Sequence, residues 1–205
     1  MEKTIKKTKI NDDSSKSVWF ELLVESSLKH GQYIKYFPNS EQIQFDNYYC
    51  KGEYDGMQTE YHENGSIKRI QITEKGKLVG KDRKWYPNEN FEWIHNYSMT
   101  GSERFDGNFE EWYEDGKRKC AKTYSDGHIV GKSRRWCSNG KMLYKMNYTE
   151  NEIRDGLQYW YHENGNLREI SKYTNGKKVG LTVKWDDTGI VEEVYRPDGS
   201  SVKLD

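Results

Sequence analysis

The chain has 205 residues, with 33 basic and 33 acidic side chains and a formal net charge of zero at pH 7. A balanced charge argues against a nucleic-acid-binding protein, because such proteins usually carry a basic excess. Aliphatic residues are few, whereas 7 Trp and 16 Tyr are present, and aromatic rings bury much area while their polar tips stay wet. This composition favours a thin, well-solvated sheet over a thick globular core.

The first 30 residues differ in character from the rest of the chain. Residues 1–16 are polar and charged, and they predict a flexible tail. Residues 17–30 include the most aliphatic stretch of this part, and they align with the second half of the repeats that follow. We expect residues 17–30 to form a half repeat that caps the sheet, with a short amphipathic helix as the alternative.

From residue 31 onward the sequence repeats with a period near 25 residues. Each repeat opens with a glycine and carries an aromatic residue five positions later. A period of this length indicates a stacked-repeat architecture, so residues 31–200 are predicted to form one repeat sheet and residues 201–205 a short tail. The opening glycines are Gly31, Gly56, Gly80, Gly107, Gly131, Gly156 and Gly180, and the aromatic residues are Tyr36, Tyr61, Trp85, Trp112, Trp136, Tyr161 and Trp185.

Each repeat contains two strand-length runs, for example residues 108–113 and 118–124. Asn-Gly or Asp-Gly pairs follow the runs, and such pairs favour two-residue type I′ turns. They occur at 64–65, 115–116, 126–127, 139–140, 164–165, 175–176 and 198–199. No long window shows helical periodicity. The predicted fold is therefore all-β: an elongated, twisted, single-layer antiparallel sheet of about seven stacked β-hairpin repeats.

The seven aromatic residues should share one face of that sheet, because side chains alternate along a strand. We call this column the aromatic ladder. It is either the stacking core of the fold, ring upon ring, or a possible binding face. Two repeats, residues 80–106 and 131–155, are irregular, and the sequence leaves open whether their departures are functional.

The repeat pattern is clearest in Trp160 to Gly165, in Tyr173 to Gly180 and in Trp112 to Gly116. It resembles the MORN repeat, in the variant form found in bacterial proteins often labelled antitoxin-like and in large DNA viruses. The resemblance covers about residues 31–200. It implies a sheet of hairpins and a role in protein interaction, scaffolding or membrane apposition, and the antitoxin label implies neutralisation of a toxin partner. No catalytic residue belongs to the motif.

The sequence shows no motif for catalysis, cofactor binding or metal binding. Residues 127–133 look like a P-loop, but only three residues separate the two glycines where that loop needs four. The five histidines have no metal-ligand spacing, and no Cys or Ser stands in a nucleophile setting beside a His. We therefore expect a protein that is not an enzyme, has no catalytic residues, and binds neither a cofactor nor a metal nor a small-molecule substrate.

Cysteine content and the N-terminus bear on localisation. Cys50, Cys120 and Cys137 form no Cys-x-x-Cys pair, and an odd, sparse count is typical of a reducing compartment. No apolar run follows the N-terminal lysines, so neither a signal peptide nor a transmembrane segment is predicted, and we expect a cytoplasmic protein. The leading hypothesis is a non-enzymatic protein-interaction or scaffold module. The alternative is a peripheral membrane protein that binds acidic lipids through Lys132, Arg134 and Arg135.

Overall fold

The structure is a computed structural model that describes residues 4–22 and 28–202. Within these ranges every regular element is a strand, so the predicted all-β fold of hairpins is confirmed. The strands are β1 (Thr4–Ile10), β2 (Lys16–Leu22), β3 (Lys29–Tyr36), β4 (Ile43–Cys50), β5 (Glu53–Tyr61), β6 (Ile67–Glu74), β7 (Lys77–Trp85), β8 (Phe91–Tyr97), β9 (Phe105–Trp112), β10 (Arg118–Ser125), β11 (His128–Trp136), β12 (Met142–Tyr148), β13 (Gly156–Tyr161), β14 (Leu167–Thr174), β15 (Lys177–Trp185) and β16 (Val191–Tyr195).

The strands form two compact units, one that extends to Arg104 and one that begins at Phe105. In the N-terminal unit, β1 to β8 each pair antiparallel with the next strand along the chain. In the C-terminal unit, β9 to β16 do the same. Every connection inside a unit is therefore a hairpin, and each repeat is held mainly by the repeats beside it.

Hairpins inside a repeat have longer turns than the sequence predicted. In the β5–β6 turn, Gly65 N donates to His62 O at 3.0 Å, and Gly65 has a φ of 87° whereas Asn64 is not left-handed. The Asn64 side-chain oxygen accepts from Ser66 N at 3.0 Å, which stabilises a type I turn closed by a left-handed glycine. The type I′ prediction is therefore wrong at 64–65, 115–116, 139–140, 164–165 and 198–199, where only the glycine has positive φ.

Four of the hairpins between repeats do have two-residue type I′ turns, whereas the β8–β9 and β12–β13 connections are longer. Asp126 and Gly127 adopt φ values of 46° and 87°, and residues 175–176 adopt 47° and 76°, so the prediction is confirmed at these two places. The same geometry occurs at residues 51–52 and 75–76, where a lysine precedes the glycine. Lysine has no side-chain acceptor that favours a turn, so these two turns were not predicted.

The opening glycine of a repeat lies in a β-bulge. Ile70 pairs with Arg83 and Ile72 with Val79, so the register shifts by two residues beside Gly80. Gly80 has a φ of 63°, a conformation that L side chains avoid. A tyrosine on the next strand often pairs with the opening glycine. These pairs are Gly31–Tyr49, Gly80–Tyr97, Gly107–Tyr124, Gly131–Tyr148 and Gly156–Tyr173.

Polar side chains fill most of the fully buried positions, among them Asp82, Ser133 and Ser171. Gln158 shows how a bulge uses such a residue. Its Nε2 donates to Asn147 O at 3.0 Å and to Asp155 O at 3.1 Å, and its Oε1 accepts from Asn147 N at 3.0 Å. The bulge interrupts the backbone hydrogen bonds between the two strands. The Gln158 amide bonds the backbone N–H and C=O groups that would otherwise be unpaired.

Side chains at the turns also connect each repeat to the next. The residue that follows a ladder residue reaches the carbonyl oxygen of the next ladder residue: His62 Nε2 to Trp85 O at 3.0 Å, and His162 Nε2 to Trp185 O at 2.8 Å. At the turn itself, Asn64 Nδ2 donates to Pro87 O at 3.0 Å. These contacts stabilise stacked hairpins that have no second layer to pack against.

The chain ends differ in part from expectation. Residues Thr4–Ile10, which were expected to be a flexible tail, form β1 and pair along their whole length with β2. The lysines that suggested a tail instead suit an edge strand, where charge discourages further pairing. β2 is a strand rather than the alternative helix, but residues 23–27 of the proposed cap lie outside the described residues. So do residues 203–205 of the C-terminal tail, whereas Val202 N donates to Val194 O at 2.7 Å.

Candidate functional site

Each residue of the aromatic ladder is the last residue of a strand, and all seven are half-buried. The predicted stacking of ring upon ring is wrong within each unit, because consecutive ladder residues of a unit lie two strands, or about 10 Å, apart. Each pairs instead with the first or second residue of the next strand, which is apolar in six of seven cases. The pairs are Tyr36–Ile43, Tyr61–Ile67 and Trp85–Phe91 in the N-terminal unit, and Trp112–Arg118, Trp136–Met142, Tyr161–Leu167 and Trp185–Val191 in the C-terminal unit.

The face that carries the ladder, which we call the apolar face, has further hydrophobic residues beside it. The neighbouring column includes the pairs Tyr159–Ile170 and Val183–Val194. Part of this surface reaches solvent: Ile67 is 39% exposed and Phe91 37%. Exposed apolar patches commonly mark an interaction site.

The opposite face, which we call the polar face, is built from ion pairs and rings. Arg69 donates to both carboxylate oxygens of Asp82 at 2.8 Å, and Trp93 Nε1 donates to the same carboxylate at 3.2 Å. The hydrogen bond to Asp82 raises the pKa of Arg69. Lys84 Nζ lies 4.4 Å from the centroid of the Trp93 ring. These contacts join β6, β7 and β8 in the N-terminal unit.

A cavity of about 170 Å³ opens on the polar face of the same unit, across β4, β5 and β6. A row of amide side chains crosses these strands, because Asn47 pairs with Gln58 and Gln58 with Gln71. Phe45 and Arg69 lie on one side of this row. Sequence reasoning did not find this cavity, since no motif marks it.

Three segments of the chain match the family model described as the MORN repeat variant, at residues 54–75, 105–126 and 154–176. They coincide with the hairpins β5–β6, β9–β10 and β13–β14. The chain contains MORN-variant repeats at these three places. The resemblance inferred from the residues is thereby confirmed, and MORN repeats are generally protein- or membrane-interaction modules. No curated protein matches the chain significantly.

The proposed basic patch in the MORN repeats is divided between the two faces. Side chains alternate along β11, so Lys132 and Arg134 lie on the apolar face with Trp136, whereas Arg135 lies on the polar face. The register with β12 is regular from Gly131 to Arg135 and shifts between Arg135 and Trp136. Lys145 pairs directly with Arg134 and adds a third cation to the apolar face. Neither residue of this pair forms an ion pair within the described part of the chain.

The side chains that could perform chemistry have structural contacts in these repeats. His62 and His162 bond the backbone of the next repeat. Burial raises the pKa of the Cys120 thiol, so this cysteine is kept protonated and unreactive. Across residues 4–22 and 28–202, no group of three His, Cys, Asp or Glu side chains is placed to hold a metal ion. The same ranges contain no helix long and apolar enough to cross a membrane.

Proposed function

We propose that this MORN-repeat protein is a non-enzymatic module that binds a protein partner through its apolar face. The observation that supports this function is the alternation of ladder aromatics with half-exposed aliphatic side chains on one face of each unit. Large aromatic residues set among aliphatic ones are typical of the residues that dominate binding energy at protein interfaces. A rigid sheet that presents such a surface is suited to a scaffold role.

The test compares the two faces at neighbouring positions of one strand. Met142 pairs with Trp136 on the apolar face, and Tyr144 pairs with Arg135 on the polar face. The two residues are two positions apart and lie on opposite faces because the register shifts between these two pairs. Both are half-buried, so Met142→Glu and Tyr144→Glu place the same charge in similar surroundings. In affinity capture from the native source, we expect Met142→Glu to lose the partner and Tyr144→Glu to keep it. Circular dichroism checks that both variants fold. Equal recovery by both variants would contradict the proposal.

A narrower proposal is the antitoxin-like role that the resemblance implies, in which the partner is a toxin. Its support is the resemblance alone. The test is expression of the captured partner in cells, alone and together with the MORN-repeat protein. We expect growth to stop with the partner alone and to recover with the wild-type protein but not with Met142→Glu. A partner that does not affect growth would reject the antitoxin role and leave the scaffold role in place.

We also propose that the protein works in the cytoplasm. The support is that Cys50, Cys120 and Cys137 are all free thiols, as expected in a reducing compartment. Fractionation of the native cells with antibody detection tests this proposal. Recovery of the protein from a secreted or membrane-enclosed fraction would contradict it.

The second candidate function is association with acidic lipid surfaces. Lys132, Arg134 and Lys145 together present three cations beside Trp136 on the apolar face. Basic residues near an anionic membrane each contribute to binding, and salt screens that contribution. In co-sedimentation with phosphatidylserine vesicles, we expect binding at low salt that weakens at ~0.15 M salt. Arg134→Glu should reduce it, whereas Arg135→Glu on the other face should not. Binding that ignores salt, or that Arg135→Glu alone removes, would reject this candidate.

A further inference from the structure

We propose that the cavity on the polar face of the N-terminal unit binds a guanidinium group, the planar cation at the end of an arginine side chain. This inference is independent of the apolar-face proposal, because the cavity lies on the other side of the sheet and in one unit only. Its basis is a pair of buried amide oxygens without a donor, which belong to two residues that line the cavity.

Gln58 has a fixed orientation. Its Nε2 donates to Tyr48 O at 2.9 Å, to Thr73 Oγ1 at 3.1 Å and to Gly56 O at 3.3 Å. Two of these acceptors are backbone carbonyls, which cannot donate, so the amide cannot be reversed. Its Oε1 is therefore turned away from them, and it is buried without a hydrogen-bond partner in a side chain that is only 4% exposed. A buried acceptor of this kind carries a free-energy cost that a donor would remove.

A second amide lies beside the first. Gln71 pairs directly with Gln58 across β5 and β6, and its Oε1 is also buried without a partner. Both residues line the cavity. Two acceptors on adjacent strands match a ligand that presents several N–H donors in one plane, and guanidinium has five such donors and no acceptor.

The C-terminal unit provides an internal comparison, because its repeats align with those of the N-terminal unit at an offset of 100 residues. Gln158 occupies the position of Gln58, and its Nε2 likewise binds the bulge carbonyl, of Gly156, at 3.4 Å. Its Oε1, however, accepts from Asn147 N at 3.0 Å. The amide oxygen is therefore satisfied within the protein in one unit and unsatisfied beside a cavity in the other.

The same region of the C-terminal unit contains a guanidinium of its own. Arg154 stands at the position of Tyr54, which lines the cavity in the N-terminal unit. The Arg154 guanidinium carbon lies 5.9 Å from the centroid of the Trp160 ring and 5.6 Å from that of the Tyr173 ring. Trp160 and Tyr173 in turn correspond to Glu60 and Thr73. The fold thus accommodates a guanidinium at this place in the C-terminal unit. In the N-terminal unit Tyr54 supplies none at the equivalent position, and the Arg69 guanidinium that also lines the cavity is bound to Asp82.

Size, charge and wall chemistry agree with this ligand. A cavity of about 170 Å³ holds a ligand of about six non-hydrogen atoms, which corresponds to a guanidinium with two methylene groups. Phe45 and Tyr54 provide aromatic surface on which a cation can rest. The two charged residues of the lining are already paired, Glu60 with Lys68 at 2.7 Å and Arg69 with Asp82 at 2.8 Å. The charge of Arg69 is thereby compensated before the ligand arrives.

The experiment is a titration of the full chain with blocked arginine (N-acetyl-arginine amide), followed by ¹⁵N NMR at the side-chain amide signals of Gln58 and Gln71. We expect saturable shifts at these signals. Blocked citrulline, the uncharged analogue of similar shape, and blocked lysine, which is not planar, should bind more weakly. Equal shifts with all three probes, or no saturable shift because the cavity holds water only, would overturn the proposal.

Three variants separate the cavity from general effects on the fold. Gln71→Leu keeps the volume of the side chain but removes one acceptor, and should weaken binding about tenfold, the loss expected for one hydrogen bond to a charged group. Tyr54→Arg, which copies Arg154, should fill the cavity and block the probe. The matched control is Gln44→Leu, because Gln44 also has a buried oxygen without a partner but does not line the cavity. Weaker binding by Gln44→Leu than by Gln71→Leu would overturn the assignment.

The source of the guanidinium is tested with the captured partner. If the group belongs to an arginine of that partner, Gln71→Leu should release the partner even though the apolar face is intact. If the partner stays bound while the blocked arginine is lost, a free guanidinium compound is the ligand. The apolar-face proposal is tested by partner recovery with Met142→Glu, and the cavity proposal by binding of blocked arginine to Gln71→Leu. Either proposal can therefore fail without the other.

Discussion

Asp82 allows a quantitative test of how the polar face is held together. Its side chain is 2% exposed, and it accepts hydrogen bonds from both Arg69 and Trp93. Replacing it with threonine, the residue at the equivalent position 182 of the C-terminal unit, should leave the Arg69 guanidinium without its carboxylate. The stability of β6, β7 and β8 should fall as a result.

The magnitude follows from burial. Breaking a buried ion pair by removing one partner costs about 3–5 kcal/mol. The Arg69 side chain is 32% exposed, so water compensates part of the lost interaction, and we expect about 2–3 kcal/mol for Asp82→Thr. Adding Arg69→Met removes the orphaned charge but keeps an apolar stem across the sheet. The double variant should therefore recover most of the loss.

Urea unfolding followed by tryptophan fluorescence measures these differences, with the slope of the transition checked for each variant. Thr182→Val serves as the reference for a small loss of stability at the equivalent position. It removes only one hydrogen bond, between Thr182 Oγ1 and Ser171 Oγ at 3.1 Å. The reasoning would be refuted if Asp82→Thr cost no more than Thr182→Val. It would also be refuted if the costs of Asp82→Thr and Arg69→Met simply added in the double variant.

Three further predictions concern single positions. Gly131→Ala should lower the free energy of unfolding by about 1–2 kcal/mol through backbone strain alone, because Gly131 has a φ of 62° and a Cβ there would meet no atom within 4 Å. Gly131→Asn, measured in the same denaturation assay, should lower it less. Hydrogen bonds from Lys117 hold the pKa of Asp115 below its ordinary value of 3.8. The ionised Asp115 therefore stabilises the fold above that value, and this stabilisation is lost as the pH falls through the lowered pKa. Between pH 5 and pH 2, the denaturant concentration at the unfolding midpoint should fall less in Asp115→Asn than in the wild type. The Cys120 thiol should react with a thiol reagent more slowly than the half-buried Cys137 in a timed colorimetric assay, because burial raises the pKa of Cys120.

Each of these predictions has a contrary result. A loss for Gly131→Asn that equals the loss for Gly131→Ala would show that backbone conformation is not the cause. An identical acid dependence in wild type and Asp115→Asn would show that the carboxylate does not contribute. Faster modification of Cys120 than of Cys137 would mean that β10 opens more readily than its burial implies.

The period of glycines and aromatic residues was sufficient to predict the hairpins, because both columns reflect local geometry. An opening glycine such as Gly80 is required by its bulge, and the residue five positions later ends the strand. Turn type was less predictable, because it depends on the register at which the strands meet. Asn64 uses its side chain to close a longer loop, and a dipeptide signal alone does not distinguish that loop from a two-residue turn.

The cavity could not be predicted from the sequence. Gln58 and Gln158 occupy the same position of their repeats, and their amide nitrogens make similar contacts. Only the placement of neighbouring backbone groups leaves one oxygen satisfied and the other not. Residues 4–10 were misread for a related reason, because their lysines suit a tail and an edge strand equally well.

The central claim is that the apolar face of the MORN-repeat sheet is the surface that meets a partner. β14 provides two nearby reporters, since Leu167 pairs with Tyr161 on the apolar face and Glu169 pairs with Lys184 on the polar face. The two lie on opposite faces because the register with β13 shifts between them. A photo-cross-linking amino acid at each position, irradiated with the captured partner present, tests the claim directly. We predict a cross-link to the partner from position 167 and none from position 169. A cross-link from 169 alone would contradict the account.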